Sequence, residues 1–240
     1  MQKIVLLHGW NYDNYYGKVS DAWANRSIFV EELEKQFEVY YMDLPGFGSE
    51  KTPNAKMWNL SDYATFVEAY LNEKEINPDY ILGYSFGGAV AVRWKSMFNH
   101  DTNLVLVSPA IIRNNEGSRS YFSTPKIMNP IRYKLRDLYL VYKVKNKEMI
   151  HGNSFHRATY QSIVREDLLD EVQSIDPRDL LIVYGDEDNM VNPIKVLNTV
   201  NDELKERIHL IQGGAHDIGN TNPKEIIDII NGGYKQKKKR

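Results

Sequence analysis

The chain has 240 residues, 42% of them hydrophobic, and a formal net charge of −2 at pH 7. That is enough apolar material for one large core, and it leaves no global charge with which to grip nucleic acid or an anionic membrane surface. There is no cysteine, which excludes disulfides, thiolate catalysis and thiolate metal sites. The apolar run at residues 4–7 is too short for a signal peptide and leads into His8-Gly9 rather than a small-residue cleavage site. No stretch reaches the ~20 apolar residues of a membrane span. The expectation is a cytoplasmic protein with no membrane span and no nucleic-acid partner.

Along the chain, Ile4-Val5-Leu6-Leu7 is a continuous apolar run, the pattern of a strand buried on both faces of a parallel sheet. Residues 20–36 show helical spacing, with Trp23, Ile28, Leu33 and Phe37 on or near one face. Residues 38–42 read as a second strand, followed by the tight loop Asp43-Leu44-Pro45-Gly46-Phe47-Gly48-Ser49. A helix over 60–75 turns Tyr63, Phe66, Val67, Tyr70 and Leu71 inward and closes at Asn77-Pro78-Asp79. Strand 80–82 runs into Gly83-Tyr84-Ser85-Phe86-Gly87 and then an apolar helix, 87–98; strand 104–107 follows.

Residues 111–175 break the alternation. Ile127, Ile131, Leu135 and Leu138 recur at helical spacing, and 155–172 reads as a further helix. An insertion of this length between two strands reads as a helical lid. The alternation resumes with strand 180–184, a helix opened by Asn192-Pro193, strand 207–211 and a last helix opened by Asn222-Pro223, each an N-cap followed by proline at the first helical position. Six strands alternating with helices predict an α/β fold, a mostly parallel sheet covered on both faces. The expected organisation is a core of 1–110 and 176–234, a lid of 111–175, and a disordered basic tail of 235–240.

The chemistry concentrates on Ser85. A strand that turns into a helix within about two residues forces strained angles on the apex residue, and Gly83 and Gly87 remove the side chains that would collide there. A serine hydroxyl is a poor nucleophile at neutral pH; it needs a base, and the base needs an acid that fixes its tautomer. Loops after later strands offer both, in the order serine, acid, base. Gly185-Asp186-Glu187-Asp188 follows strand 180–184, and Gly213-Gly214-Ala215-His216-Asp217 follows strand 207–211. Asp186 and Asp188 compete for the acid; Asp217, adjacent to the histidine, is worse placed.

These motifs resemble those of the α/β-hydrolase superfamily, and they span the chain from His8 to His216. The resemblance implies Ser85 as nucleophile, Asp188 (G-x-x-D, then an apolar residue and proline) as acid, and His216 (G-G-x-H) as base. It also implies that the amides of Trp10, in His8-Gly9-Trp10, and of Phe86 form an oxyanion hole, with His8 structural and Gly9 permitting close approach. Gly9 and Tyr84 are expected to line the substrate site, and the 43–49 loop to be structural. Relatives commonly carry strands ahead of the His-Gly strand, so a minimal six-stranded core is expected, with strand 4–7 nearer an edge.

A serine at the apex argues against relatives that use a carboxylate nucleophile. The expected reaction is carboxylesterase-like hydrolysis of a small ester or thioester, with no metal or cofactor. The alternatives are a C–C bond hydrolase or small-amide aminopeptidase with the same triad, and a slow-turnover ligand receptor on the same fold. Trp10, Tyr12, Tyr15, Tyr16, Tyr84 and Phe86 are expected around the mouth. Residues 111–160 carry ten Lys/Arg against three acidic residues; this is either a solvated face or an attraction for an anionic substrate such as a carboxylated ester or acyl-phosphopantetheine thioester. Oligomeric state is left open, a homodimer through lid or edge strand included.

Overall fold

The computed structural model describes residues 1–112 and 147–235. Its centre is a six-stranded sheet: β1 (Gln2–Leu7), β2 (Phe37–Met42), β3 (Tyr80–Tyr84), β4 (Asn103–Val107), β5 (Leu180–Gly185) and β6 (Ile208–Ile211). The spatial order is β2-β1-β3-β4-β5-β6, every pair parallel. The sheet grows from β1 to β2 in one direction and from β3 through β6 in the other. Its topological switch point therefore lies between β1 and β3, where Leu7 pairs with Gly83. Open α/β sheets place their sites at the carboxyl ends of the strands flanking that point, and here those ends lead into His8-Gly9-Trp10 and Ser85.

The two-residue period of a strand divides the core into two layers. Val5, Leu7, Ile81, Leu104, Leu106, Leu180 and Ile182 face one layer; Ile4, Leu6, Tyr80, Leu82, Val105, Val107, Leu181 and Val183 face the other. The first is covered by α2 (Leu60–Glu73) and α3 (Phe86–Phe98), the second by α1 (Ser27–Glu34) and the last helix, α10 (Pro223–Lys235). α2 starts on a capping box in which Asn59 and Asp62 exchange side-chain and backbone bonds. Its buried residues Leu60, Tyr63, Ala64, Val67 and Leu71 follow one face. α3 is buried nearly all round, and it ends where Asn99 turns left-handed at φ 49°.

Between β4 and β5 the described chain holds α4 (Lys147–His151), α5 (Ser154–Ile163) and α6 (Leu169–Ser174). Beyond β5 come α7 (Pro193–Thr199), α8 (Asp202–Lys205) and α9 (Ile218–Thr221). The helical spacing of Ile127, Ile131, Leu135 and Leu138 falls outside the described residues. So do residues 236–240 of the expected tail, whereas Lys235 ends α10.

Two helices differ from expectation. The helix foreseen over 20–36 begins only at Ser27, after a short 3-10 turn, because the Asp21 carboxylate accepts the Trp23 amide (2.7 Å) and holds that segment in a side-chain turn. Phe29, Val30 and Leu33 face inward; Ile28 is 60% exposed, and Phe37 opens β2 instead of closing the helix. The helix foreseen over 155–172 is split into α5 and α6. Residues in the break serve other partners: Glu166 accepts the Leu60 amide (3.0 Å) and pairs with Arg93 (3.3 Å), and Asp167 accepts the Leu169 amide.

Candidate active site

Ser85 is the whole turn between β3 and α3, at φ 51° and ψ −109°. Such angles cost ~1–3 kcal/mol and persist only where the surroundings hold them. Here the main chain does so. The Ser85 amide donates to Val107 O (2.9 Å), and its carbonyl accepts the amides of Gly88 (3.0 Å), Ala89 (3.3 Å) and Ala110 (3.1 Å). The two glycines leave no room for a side chain: a Cβ on Gly83 would stand 2.5 Å from Gly87 O, and one on Gly87 2.1 Å from Leu7 O. Gly9 differs, since its Cβ would meet Ser85 Cβ at an ordinary 3.4 Å.

Ser85, Asp188 and His216 come together from three loops. His216 Nε2 lies 3.0 Å from Ser85 Oγ, and His216 Nδ1 lies 2.7 Å from Asp188 Oδ2. A carboxylate only accepts, so Nδ1 carries the proton and Nε2 offers its lone pair to the serine hydroxyl. The other Asp188 oxygen accepts the amides of Met190 (2.8 Å) and Val191 (3.2 Å). Burial is the largest single influence on this carboxyl and pushes its pKa up. The hydrogen bond from His216, with the two amides, outweighs it and leaves the group below the ordinary carboxylate range. The rival acids are engaged elsewhere: Asp186 accepts the Gly213 amide (2.7 Å), and Asp217 pairs with Arg26 (2.6 Å).

The amides of Trp10 and Phe86 donate to no protein acceptor among the described residues. Phe86 opens α3 and so sits at the positive end of the helix dipole. The Trp10 loop is fixed by His8, whose Nδ1 donates to Gly9 O (2.9 Å) and whose Nε2 accepts the Leu44 amide (2.9 Å). Both ring nitrogens being so used, and the ring buried, His8 is held neutral with its pKa pushed down. In the following loop Asp43 accepts from Ala22 N, Ser49 N and Ser49 Oγ, closing the turn.

Most of the aromatics expected at the mouth are packed together. Tyr15, Tyr84 and Phe86 are buried, whereas Tyr16 is 43% exposed. The Trp10 ring meets Phe47, Phe86, Tyr15, His156 and Tyr160 at centroid distances of 4.9–6.3 Å. His156 and Tyr160 belong to α5, and His156 Nε2 donates to Gly46 O (2.8 Å). Nothing local in the sequence signals this contact beyond the Asn153 cap that sets His156 in the first turn. Tyr84 does not line the substrate side with its ring: it is 1% exposed, its hydroxyl donating to His216 O (2.9 Å) and accepting from Gly219 N (3.2 Å). No cluster of three or more metal-ligating side chains occurs among the described residues, and no described helix is long and apolar enough to cross a membrane.

With this geometry in view, relatives are informative. One segment is 37% identical over 87 residues to a pimeloyl-[acyl-carrier protein] methyl ester esterase of Pseudoalteromonas atlantica, covering 36% of this chain and 29% of that protein. Another is 26% identical over 108 residues to a 2-hydroxy-6-oxo-2,4-heptadienoate hydrolase of Pseudomonas putida, covering 45% and 37%. The chain thus matches less than two-fifths of either curated relative. Among solved structures, a bromoperoxidase from Bacillus anthracis superposes with a TM-score of 0.64 at 18% identity, covering 98% of this chain and 92% of that one; it shares the fold. The family model described as the alpha/beta hydrolase family matches residues 4–229, and the chain belongs to that family.

Proposed function

We propose that this protein is a serine hydrolase that cleaves a small ester or thioester through an acyl-enzyme on Ser85. The observation that carries the reading is the relay Ser85 Oγ–His216 Nε2 at 3.0 Å and His216 Nδ1–Asp188 Oδ2 at 2.7 Å; the Trp10 and Phe86 amides, without an acceptor among the described residues, support it. Ser85 Oγ attacks the carbonyl as His216 takes its proton, and Asp188 stabilises the imidazolium. The Trp10 and Phe86 amides receive the oxyanion; losing one such donor typically costs about 10²–10³ in rate. His216 then protonates the leaving group, and water deprotonated by His216 releases the acid. Residues 111–175 act as the lid, α5 bringing Tyr160 and His156 against Trp10. Gly9, without a side chain, leaves room for substrate beside Ser85.

The partial likeness to a methyl ester esterase supports an ester substrate. The likeness to a heptadienoate hydrolase supports a second reading, C–C cleavage by the same residues. The test is turnover of p-nitrophenyl esters from acetate to decanoate, wild type beside Ser85→Ala. We expect ester turnover in the wild type and a fall of ~10⁴ or more in the variant. Folded wild type that turns over no ester but cleaves a vinylogous diketone would replace the first reading with the second.

A further inference from the structure

We propose that Tyr84 is a positioning residue for the base: its hydroxyl, locked by Arg26, fixes the main chain of His216 at the distance Ser85 requires. The inference rests on the reading of His216 as the base for Ser85. Tyr84 ends β3, one residue before Ser85. Its hydroxyl gives its proton to His216 O (2.9 Å) and takes that of Gly219 N (3.2 Å), so both of its hydrogen-bonding roles are spent on the loop that carries the base. Among the described residues, this hydroxyl is the only partner of the His216 carbonyl.

The ring is held in turn. The Arg26 guanidinium lies over it, 4.3 Å from the centroid, and reaches on to Asp217, the residue after the base, at 2.6 Å. Arg26 Nε is buried with no partner among the described residues, a cost accepted for the stack and the ion pair together. α9 makes room for the arrangement at Gly219, where a Cβ would stand 2.9 Å from Tyr84 Cε2. The Ser85 Oγ–His216 Nε2 distance depends on the backbones of residues 85 and 216. Tyr84 is the strut between them. A phenylalanine would fill the same space, so the hydroxyl answers to placement of the base rather than to packing.

The test separates binding from chemistry at Ser85 with a fluorophosphonate. Its phosphorus is attacked by Ser85 Oγ, the P–F bond breaks as the P–O bond forms, fluoride leaves and His216 takes the proton. Inactivation constants (KI and kinact) and the downfield proton resonance of His216 Nδ1–H would be recorded for wild type, Tyr84→Phe, Gly219→Ala, Arg26→Lys and Arg26→Ala. Tyr41→Phe serves as control, because among the described residues its hydroxyl meets only Glu34.

Tyr84→Phe and Gly219→Ala should lower kinact about tenfold, the scale set by one ordinary hydrogen bond. KI should stay put and the downfield resonance broaden. Arg26→Lys should retain more of kinact than Arg26→Ala, and Tyr41→Phe should match wild type. Should Tyr84→Phe fail to fold, Gly219→Ala displaces the ring with every hydroxyl still present. Wild-type kinact and an unchanged resonance in the folded variants would overturn the inference while the hydrolase reading stood. Absence of labelling in the wild type, or labelling that survives Ser85→Ala, would instead overturn that reading and this inference with it.

Discussion

Asp188→Asn tests the relay most directly, because its outcome follows from which atoms donate. Asp188 takes three hydrogen bonds: Oδ2 from His216 Nδ1 (2.7 Å), and Oδ1 from the amides of Met190 (2.8 Å) and Val191 (3.2 Å). Asparagine keeps the shape but must turn one end into a donor. Two main-chain amides aim at the Oδ1 position, so the asparagine oxygen belongs there and its NH₂ group points at His216 Nδ1. The imidazole must then accept at Nδ1 and carry its proton on Nε2, where it can no longer take one from Ser85. A triad histidine locked in the wrong tautomer costs about 10⁴ in kcat, which corresponds to ~5.4 kcal/mol of transition-state stabilisation. The assay is kcat and KM on the best p-nitrophenyl ester, beside Asp186→Asn. Asp186 holds the Gly213 amide and does not touch His216, so its variant should stay within about threefold of wild type. A kcat for Asp188→Asn within tenfold of wild type, or a larger loss for Asp186→Asn, would refute the tautomer argument.

Two further outcomes concern the scaffold. Gly87→Ala drives a methyl to 2.1 Å from Leu7 O and 2.7 Å from His8 O, both main chain. α3 and β1 must part, at a loss of ~3 kcal/mol or more, or about 6–12 °C in Tm; an unshifted melting curve would contradict the packing described. Stability should also fall with acidification. Burial holds the pKa values of His8 and His156 below the ordinary histidine value, while the unfolded rings titrate near ~6.5. As pH drops below that value the unfolded chain binds protons that the folded one refuses, so stability present above it is lost until the folded rings protonate. Asp188, with its pKa lowered, adds a loss at more acid pH, below ~3.9. The urea midpoint should decline from pH 7.5 to 5, and less steeply in His156→Gln; a flat midpoint would sink the account.

The strands were legible because a strand buried on both faces must be apolar throughout, and Ile4 to Leu7 or Leu180 to Tyr184 admit little else. That Ser85, Asp188 and His216 would meet was legible for a related reason: each lies on a loop leaving the carboxyl end of a strand, and a parallel sheet delivers those ends to one edge. Chain order alone leaves Asp188 and Asp186 open, and only the resemblance favours Asp188; the physical difference lies in a distant amide, Gly213, that claims Asp186. The same blindness to long-range partners explains the helix boundaries. Nothing local announces that Glu166 will serve Leu60 and Arg93, breaking the helix expected over 155–172. The resemblance places Tyr84 at the substrate site; its ring is held instead against Arg26 and Gly219, far away in sequence.

None of the four main-chain bonds that lock residue 85 runs through its hydroxyl, whose only partner among the described residues is His216. The turn is therefore indifferent to what its side chain can do. On the proposed reading of Ser85 as nucleophile, a protein carrying alanine there keeps its fold and should lose its turnover, which would make it a hook: incubated with cell extract and washed, it should retain by affinity the compound that the wild-type protein turns over.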